Sequence, residues 1–263
     1  MDNKYKITVV IPVFNAADYL EKALSSFERQ TFKDFQLILV DDKSSDNSVE
    51  ICERYIENNK NFKLVKHTTN QGVSAARNTG IKLANSELIT FADCDDWVEA
   101  NYLEYFVDTF NKYDLDLSAC GFMIETEKSS KPKGLIKESG KLIKRNEMLQ
   151  RIISVNGTVM GYTWNKAYKL DVIRNNELTF ATDVGLMEDA IFNVQYTSAT
   201  DRFYFSSDPL YHYVQRKNSA SHAYFDLNNI KDVGVANFRI HKQIIQNIGD
   251  QIDPEIKDVD DEK

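Results

Sequence analysis

The chain holds 263 residues, 42% hydrophobic and 27% charged, with 10 glycines and 4 prolines. That is the length of one large α/β domain, or a domain with a small appendage, and it leaves little room for long disordered tracts except at the C-terminal end. A formal net charge of -8 excludes nucleic acid as the main partner, because no large basic field is available to neutralise phosphates. The locally basic Lys128 to Lys144 stretch reads as a solvated loop or hairpin. Three widely spaced cysteines, Cys52, Cys94 and Cys120, form no CxxC pair, so neither a zinc site nor a disulfide framework is signalled and a reducing, cytoplasmic setting fits. The first apolar run, Ile7 to Val13, is too short for a signal peptide, and no segment approaches the ~18 apolar residues that span a bilayer.

The first 120 residues alternate strand and helix. Ile7 to Val13 is a β-branched run without polar alternation, as in a strand buried on both faces. An amphipathic helix follows with Tyr19, Leu20, Ala23, Leu24 and Phe27 on one side. Leu37 to Val40 is a second strand, ending at Asp41-Asp42, and Ser45 or Asp46 is placed to cap the next helix. Phe62 to Val65 is a third strand. Gly72 opens a helix from about Ser74 to Ala84, and Leu88 to Ala92 is a fourth strand ending at Asp93-Cys94-Asp95-Asp96. A helix from about Glu99 to Lys112 leads to a fifth strand near Leu117 to Cys120. This predicts a parallel sheet covered by helices, with ligands at the carboxyl ends of the strands and Asp41, Asp42, Asp93 and Asp95 facing one cleft.

Beyond residue 120 the pattern changes. A polar segment over 126–145 precedes a short helix near Glu147 to Ile153, then the aromatic stretch Gly161 to Lys166. Phe203 to Phe205 and Leu210 to Val214 read as strands. A helix carrying Ile230, Val233, Phe238, Ile240 and Ile244 precedes an acidic tail from about Gly249, which reads as frayed or as the cut end of a longer chain.

Five clusters carry candidate chemistry. Asp93 and Asp95, one residue apart at a strand end, suit a hard divalent cation with oxygen ligands, Mn2+ or Mg2+. Capping of the next helix accounts for Asp96 but not for three carboxylates that repel one another. At Asp41-Asp42 one carboxylate is free to accept from a base imide or a ribose hydroxyl. Gly72 and the small residues after it permit close ligand approach, with Arg77 one turn into the helix, where a surface arginine is an equal reading. Glu188-Asp189 opens an apolar helix. This is either favourable pairing with the helix dipole or a general base, and spacing does not decide. His212 is read equally as a metal or phosphate ligand and as a half-buried strand histidine.

Taken in order, Val10-Ile11-Pro12-Val13-Phe14-Asn15, Gln30-Thr31-Phe32, Val40 to Asp46, Asn70 to Asn78, Phe91 to Trp97, Trp164-Asn165-Lys166 and Glu188 to Phe192 resemble the family 2 glycosyltransferases of bacterial polysaccharide synthesis. The resemblance covers about residues 5 to 220. It implies the GT-A fold, a Rossmann-like, mostly parallel sheet flanked by helices with a smaller acceptor-side subregion. Residues 1–220 would form the catalytic domain, 1–120 binding the nucleotide sugar and 121–220 the acceptor, with a C-terminal helix and tail over 221–263. It also implies an inverting, metal-dependent transfer from a nucleoside diphosphate sugar, with UDP expected, to a glycan, glycolipid or glycoprotein hydroxyl, and peripheral association with the inner face of the plasma membrane.

The resemblance assigns roles by position. Pro12, Val13, Phe14 and Asn15 line the nucleobase pocket, Asp41 accepts from the base with Asp42 beside it, and Arg77 flanks it. Asp93, Cys94 and Asp95 form the Asp-x-Asp motif, with Asp93 toward the ribose and Asp95 on the metal, to which His212 is a further candidate ligand. Asp189 is the catalytic base, Glu188 places acceptor or sugar, and Trp164 and Lys166 shape the acceptor cleft. Two departures stand out: Lys43 where glycine is usual, and Cys94 where serine is usual. A haloacid-type phosphohydrolase would place its aspartates on the first strand, and a Rossmann dehydrogenase needs Gly-x-Gly-x-x-Gly where this chain has Pro12 to Asn15. A non-catalytic sugar-nucleotide or glycan-binding module is the remaining alternative.

Overall fold

The computed structural model describes residues 4–133, 140–154, 157–216 and 230–257, with side chains of the last helix described for 232–246. The N-terminal half runs β1 (Tyr5–Val13), α1 (Ala17–Glu28), β2 (Phe35–Asp41), α2 (Ser48–Asn58), β3 (Phe62–Lys66), α3 (Val73–Leu83) and β4 (Ser86–Phe91). The apolar runs become strands because both faces are covered: Ile7, Val9, Val10, Ile11, Leu37, Ile38, Leu39 and Leu88 are all fully buried. β1 lies between β2 and β4 and is parallel to both, so the carboxyl ends of these strands open on one edge. Helix α3 presses onto β1 at Gly80, where a Cβ would come within 2.2 Å of Val10 Cγ1.

The second half is mixed. It comprises β5 (Trp97–Val98), α4 (Tyr102–Lys112), β6 (Leu117–Thr126), β7 (Ser129–Pro132), β8 (Lys141–Ile143), α5 (Arg145–Ile153), β9 (Lys166–Lys169), α6 (Leu170–Asn175), α7 (Glu188–Ser198), β10 (Phe203–Val214) and α8 (Ile230–Lys257). The sheet order is β3-β2-β1-β4-β9-β6-β10-β5, with β7 paired to β6 and β8 to β10. β9 is antiparallel to both β4 and β6, whereas β10 is parallel to β6.

The parallel sheet expected from the alternation is therefore present over β1 to β4, and a short antiparallel strand separates it from the fifth. Sequence pattern does not disclose β9, because Lys166-Ala167-Tyr168-Lys169 is short and half polar. Phe203 to Val214 forms one strand, with register shifts near Pro209, where the pattern suggests two. The polar 126–145 segment folds back as the β6–β7 hairpin, and its middle, 134–139, lies outside the described residues. Helix α8 runs on through Lys257, past the Gly249 break expected from composition. No helix among the described residues is long and apolar enough to cross a membrane.

Candidate active site

The edge formed by the ends of β1, β2 and β4 collects the acidic clusters. After β1, Phe14 is left 49% exposed and Asn15 turns with φ 48°. The Asn15 side chain accepts from the Ser45 amide at 2.8 Å, and the Asn15 amide donates to Ser44 Oγ. This joins the β1 and β2 loops into one rim. Lys43 has φ 70°, the left-handed region that glycine enters freely, which accounts physically for glycine being the expected residue there. Asp41 and Asp42 are both buried. The Ser44 amide donates to Asp41, while Asp42 accepts from His67 and from the amides of Gln71 and Gly72 at 2.7–3.1 Å. Asp42 thus fixes the loop leading to α3, whose cap Gly72 has φ 87°. Val13 is fully buried, so only Pro12 and Phe14 of that apolar trio reach the cleft surface.

Arg77 is the main revision of the expected geometry. It does not flank a base at the surface but is 3% exposed, and it gathers the acidic groups. Nη1 donates to Glu188 at 2.8 Å and Asp189 at 2.6 Å, and Nη2 to Asp93 at 3.1 Å. Its guanidinium also lies over the Phe180 ring, 5.3 Å from the centroid. The sequence-distant β4 end and α7 start are thereby joined through one cation.

One guanidinium faces three carboxylates, which leaves the cluster net negative. Burial pushes the Asp189 carboxyl up to about 7, against the pull of Arg77, with Glu188 and Asp93 adding to the rise. Burial likewise raises Asp93, with Asp95 and Glu188 adding to it against Arg77. Asp96 is raised well above the carboxylate range by burial and by its two acidic neighbours, although the Val214 amide and the Tyr211 hydroxyl donate to it.

Ligand oxygens of Asp93, Asp95 and Asp96 lie within 4.8 Å of one another. An all-oxygen, mutually repelling set of this kind fits a hard divalent cation, which would relieve the repulsion that raises Asp93 and Asp96. Asp95 meanwhile receives Arg216, through Nη1 to Oδ2 and Nη2 to the main-chain oxygen, both at 2.6 Å. The Arg216 guanidinium packs 3.5 Å from the centroid of the Tyr19 ring. Cys94 sits between the two aspartates of the motif, and burial together with Asp95 and Asp93 pushes its thiol up. It is therefore a poor nucleophile.

His212 does not join the carboxylate set. Its Nδ1 lies 2.7 Å from Glu125 and its Nε2 2.9 Å from Glu99, and its ring stacks on Trp97 at 3.4 Å. With both nitrogens engaged, it braces β10 against β5 and β6. Trp164 and Lys166, expected to shape the acceptor cleft, are both buried, so neither lines a surface. Trp164 stacks on Tyr211 at 4.3 Å and on Tyr162 at 4.7 Å. They form the framework behind Tyr162 and Tyr213, the partly exposed members of that stack.

Sequence reasoning places Tyr211 and Arg216 in the same stretch as His212 without giving them a role, and it misses Asn193. Arg216 stands close after His212, but nothing local says that its partner is Asp95. Tyr211 accepts from the Asp93 amide at 3.1 Å and donates to Asp96 at 2.8 Å, a pairing made by fold alone.

The Glycosyl transferase family 2 profile matches residues 8–175. The chain belongs to this family. Among relatives, EpsJ of Bacillus subtilis, an uncharacterized glycosyltransferase, is 29% identical over 216 residues, covering 81% of this chain and 62% of its own length. The poly(ribitol-phosphate) beta-glucosyltransferase of Bacillus spizizenii is 30% identical over 218 residues, covering 81% and 33%. The chain therefore spans from about three-fifths to one-third of the length of these relatives. Among solved structures, S. aureus TarS 1-349 in complex with UDP-GlcNAc superposes with a TM-score of 0.73 at 21% identity, covering 84% of this chain and 62% of that one. The mannosyltransferase PcManGT of Pyrobaculum calidifontis, in complex with GDP-Man and Mn2+, gives 0.59 at 18%, covering 95% and 66%. These likenesses establish the GT-A fold.

Proposed function

We propose that the chain transfers a sugar from a UDP-sugar to a hydroxyl of a glycan or lipid-linked acceptor, with inversion, in cell-surface polysaccharide synthesis. The observation that carries this reading is the Arg77 junction. It holds Asp189, a carboxylate with a raised pKa, beside Asp93 of an all-oxygen cation cluster. Asp189 as carboxylate accepts the proton of the acceptor hydroxyl, and the oxygen attacks the anomeric carbon from the face opposite the diphosphate. One displacement gives inversion. A pKa near the working pH matches a general base to its task. Glu188, on the same Arg77 nitrogen, orients the incoming hydroxyl or a sugar hydroxyl. Asp93 and Asp95 would hold Mn2+ or Mg2+, which when bound neutralises charge on the departing diphosphate.

Phe14, Pro12, Asn15 and the Asp41–Asp42 turn would receive the nucleotide, with Phe14 against the base ring. That UDP-GlcNAc and GDP-Man occupy neighbours of this fold supports a nucleotide sugar, and the more similar neighbour favours UDP. We assign residues 1–220 to the catalytic unit, with 1–120 on the donor side and 121–220 on the acceptor side. Three free thiols and a nucleotide donor suit the cytoplasmic side of the membrane. A thermal-shift series of UDP- and GDP-sugars with Mn2+ tests the reading, because a ligand of the native state raises its melting point. UDP-sugars should raise Tm only with the cation, and Asp95→Asn should abolish the cation's effect. No response to any nucleotide sugar would sink the proposal.

A further inference from the structure

The segment before β9 is organised around a buried ammonium. Lys166 is fully buried, and its main-chain oxygen accepts from Thr90 Oγ1 at 2.8 Å, which fixes it in the sheet. Its Nζ lies 3.1 Å from the oxygen of Val159, 3.0 Å from that of Met160 and 2.8 Å from Asn165 Oδ1, and it also donates to the Tyr162 oxygen. All four are neutral oxygens, and an ammonium offers three protons and no acceptor. Carbonyl dipoles converging from positions 159, 160 and 162 repel one another unless a cation sits among them. Met160 moreover has φ 51°, an arrangement a non-glycine residue does not choose by itself. Burial lowers the Lys166 amine to about 7, so holding a charge there is costly and needs this ring of oxygens.

The same segment is seated on the first turn of α7. Asn193 donates to the oxygens of Gly161 at 2.8 Å, Tyr162 at 3.2 Å and Asp189 at 2.9 Å, and accepts from Tyr168 at 2.8 Å. At Gly161 a Cβ would stand 2.8 Å from Ala190 Cβ, so backbone meets helix directly. The Thr163 amide acts on the Asp189 carboxylate.

We propose that Lys166 is a positioning residue: its ammonium gathers residues 159–165 into a carbonyl ring that seats Tyr162 and the first turn of α7, and so sets the reach of Asp189 toward an acceptor hydroxyl. The functional half of this statement rests on Asp189 being the base. The structural half does not.

The test uses the full chain with Lys166→Met and Lys166→Ala. With UDP and Mn2+ as the probe, calorimetry should give an affinity within about twofold of the parent, because the donor edge is untouched. Amide exchange at Gly161 and Ile191 should quicken by about tenfold or more. The Asp189 resonance, assigned with Asp189→Asn in a 13C-aspartate titration, should move its midpoint. Adding n-propylammonium to Lys166→Ala should restore slow exchange and the parental midpoint, whereas n-propanol should not. A side chain that merely fills space would be rescued equally by both, and that result overturns the proposal. Unchanged exchange and midpoint in Lys166→Met overturn it too. If Lys166→Met does not fold, the same readings are taken on Lys166→Arg, which keeps the charge. There, parental exchange and midpoint support the charge as the organising element, and altered values with intact UDP binding support the geometry of the ring; loss of UDP binding as well overturns the confinement to the acceptor side. Turnover retained by Asp189→Asn would refute the base assignment while leaving the exchange result standing.

Discussion

The edge proposed for the donor and the side proposed for the acceptor are built by opposite means. On the first, loops that follow β1 and β2 meet through short polar contacts such as Asn15 to Ser45, and Phe14 is left exposed. On the acceptor side, the motif residues Trp164 and Lys166 are withdrawn into the interior, and partly exposed neighbours such as Tyr162 face outward. A motif residue can thus belong to a site by touching the ligand or by shaping what touches it. Burial separates the two cases, and sequence does not. Arg77 stands where the two constructions meet.

The sharpest way to break this contrast is Arg77→Met. It leaves Asp93, Glu188 and Asp189 with no shared cation. Removing one partner of a buried ionic group costs about 3–5 kcal/mol, so urea unfolding should show a loss of that order together with loss of transfer. A loss below ~1 kcal/mol would mean the junction is ornamental to folding.

Asp189→Asn is expected to lower the rate of acceptor-dependent UDP release by about 10²–10⁴ while sparing nucleotide binding. Because the raised pKa favours the protonated carboxyl, the parent should lose activity as pH falls through about 7. The folded state holds this proton more tightly than the unfolded chain does. Its contribution to stability is therefore full below the unfolded value near 3.8 and is lost as pH rises to about 7. In the Asp189→Asn protein that acid limb should vanish from the residual rate, and the matching slope from the stability profile. An acid limb unchanged by the substitution would move the base elsewhere.

His212→Gln tests the brace. Leaving Glu99 and Glu125 facing a neutral amide should cost about 1–3 kcal/mol in stability, with Mn2+ affinity unchanged by calorimetry. If Mn2+ affinity fell strongly instead, the histidine would belong with the cation cluster. The smallest effect is expected on the donor rim. Lys43→Gly relieves a left-handed residue but gains unfolded-state freedom, so stability should change by less than about 1 kcal/mol.

Most of the donor edge is legible in the sequence, because buried strands advertise themselves by β-branched runs and their ends by the acidic pairs that follow. Asp93 and Asp95 need only local order to be placed together. The acceptor side is legible as motif but not as geometry. Trp164-Asn165-Lys166 looks like cleft surface until β9 is found between β4 and β6, and four residues of mixed polarity give no period to find it by. His212 stays balanced between two readings in sequence because its partners, Glu99 on one side and Glu125 on the other, are distant in the chain. Arg77 looks like a group at the cleft surface because an amphipathic helix gives no sign that this side chain reaches the start of α7.

The Tyr211 hydroxyl carries a consequence of its own. It accepts a hydrogen bond from the Asp93 amide and donates one to Asp96, while its ring is a layer of the stack around Trp164. Phenylalanine would fill the same volume and leave the Asp93 amide and one Asp96 oxygen without this partner, and a smaller polar residue would satisfy them and collapse the stack. Substitutions that would retune the wall facing an acceptor are therefore not free to ignore the oxygens facing a cation. On the proposed function, a substitution made here for the acceptor also reaches the cation cluster, and diversification of the acceptor wall falls to partly exposed residues such as Tyr162.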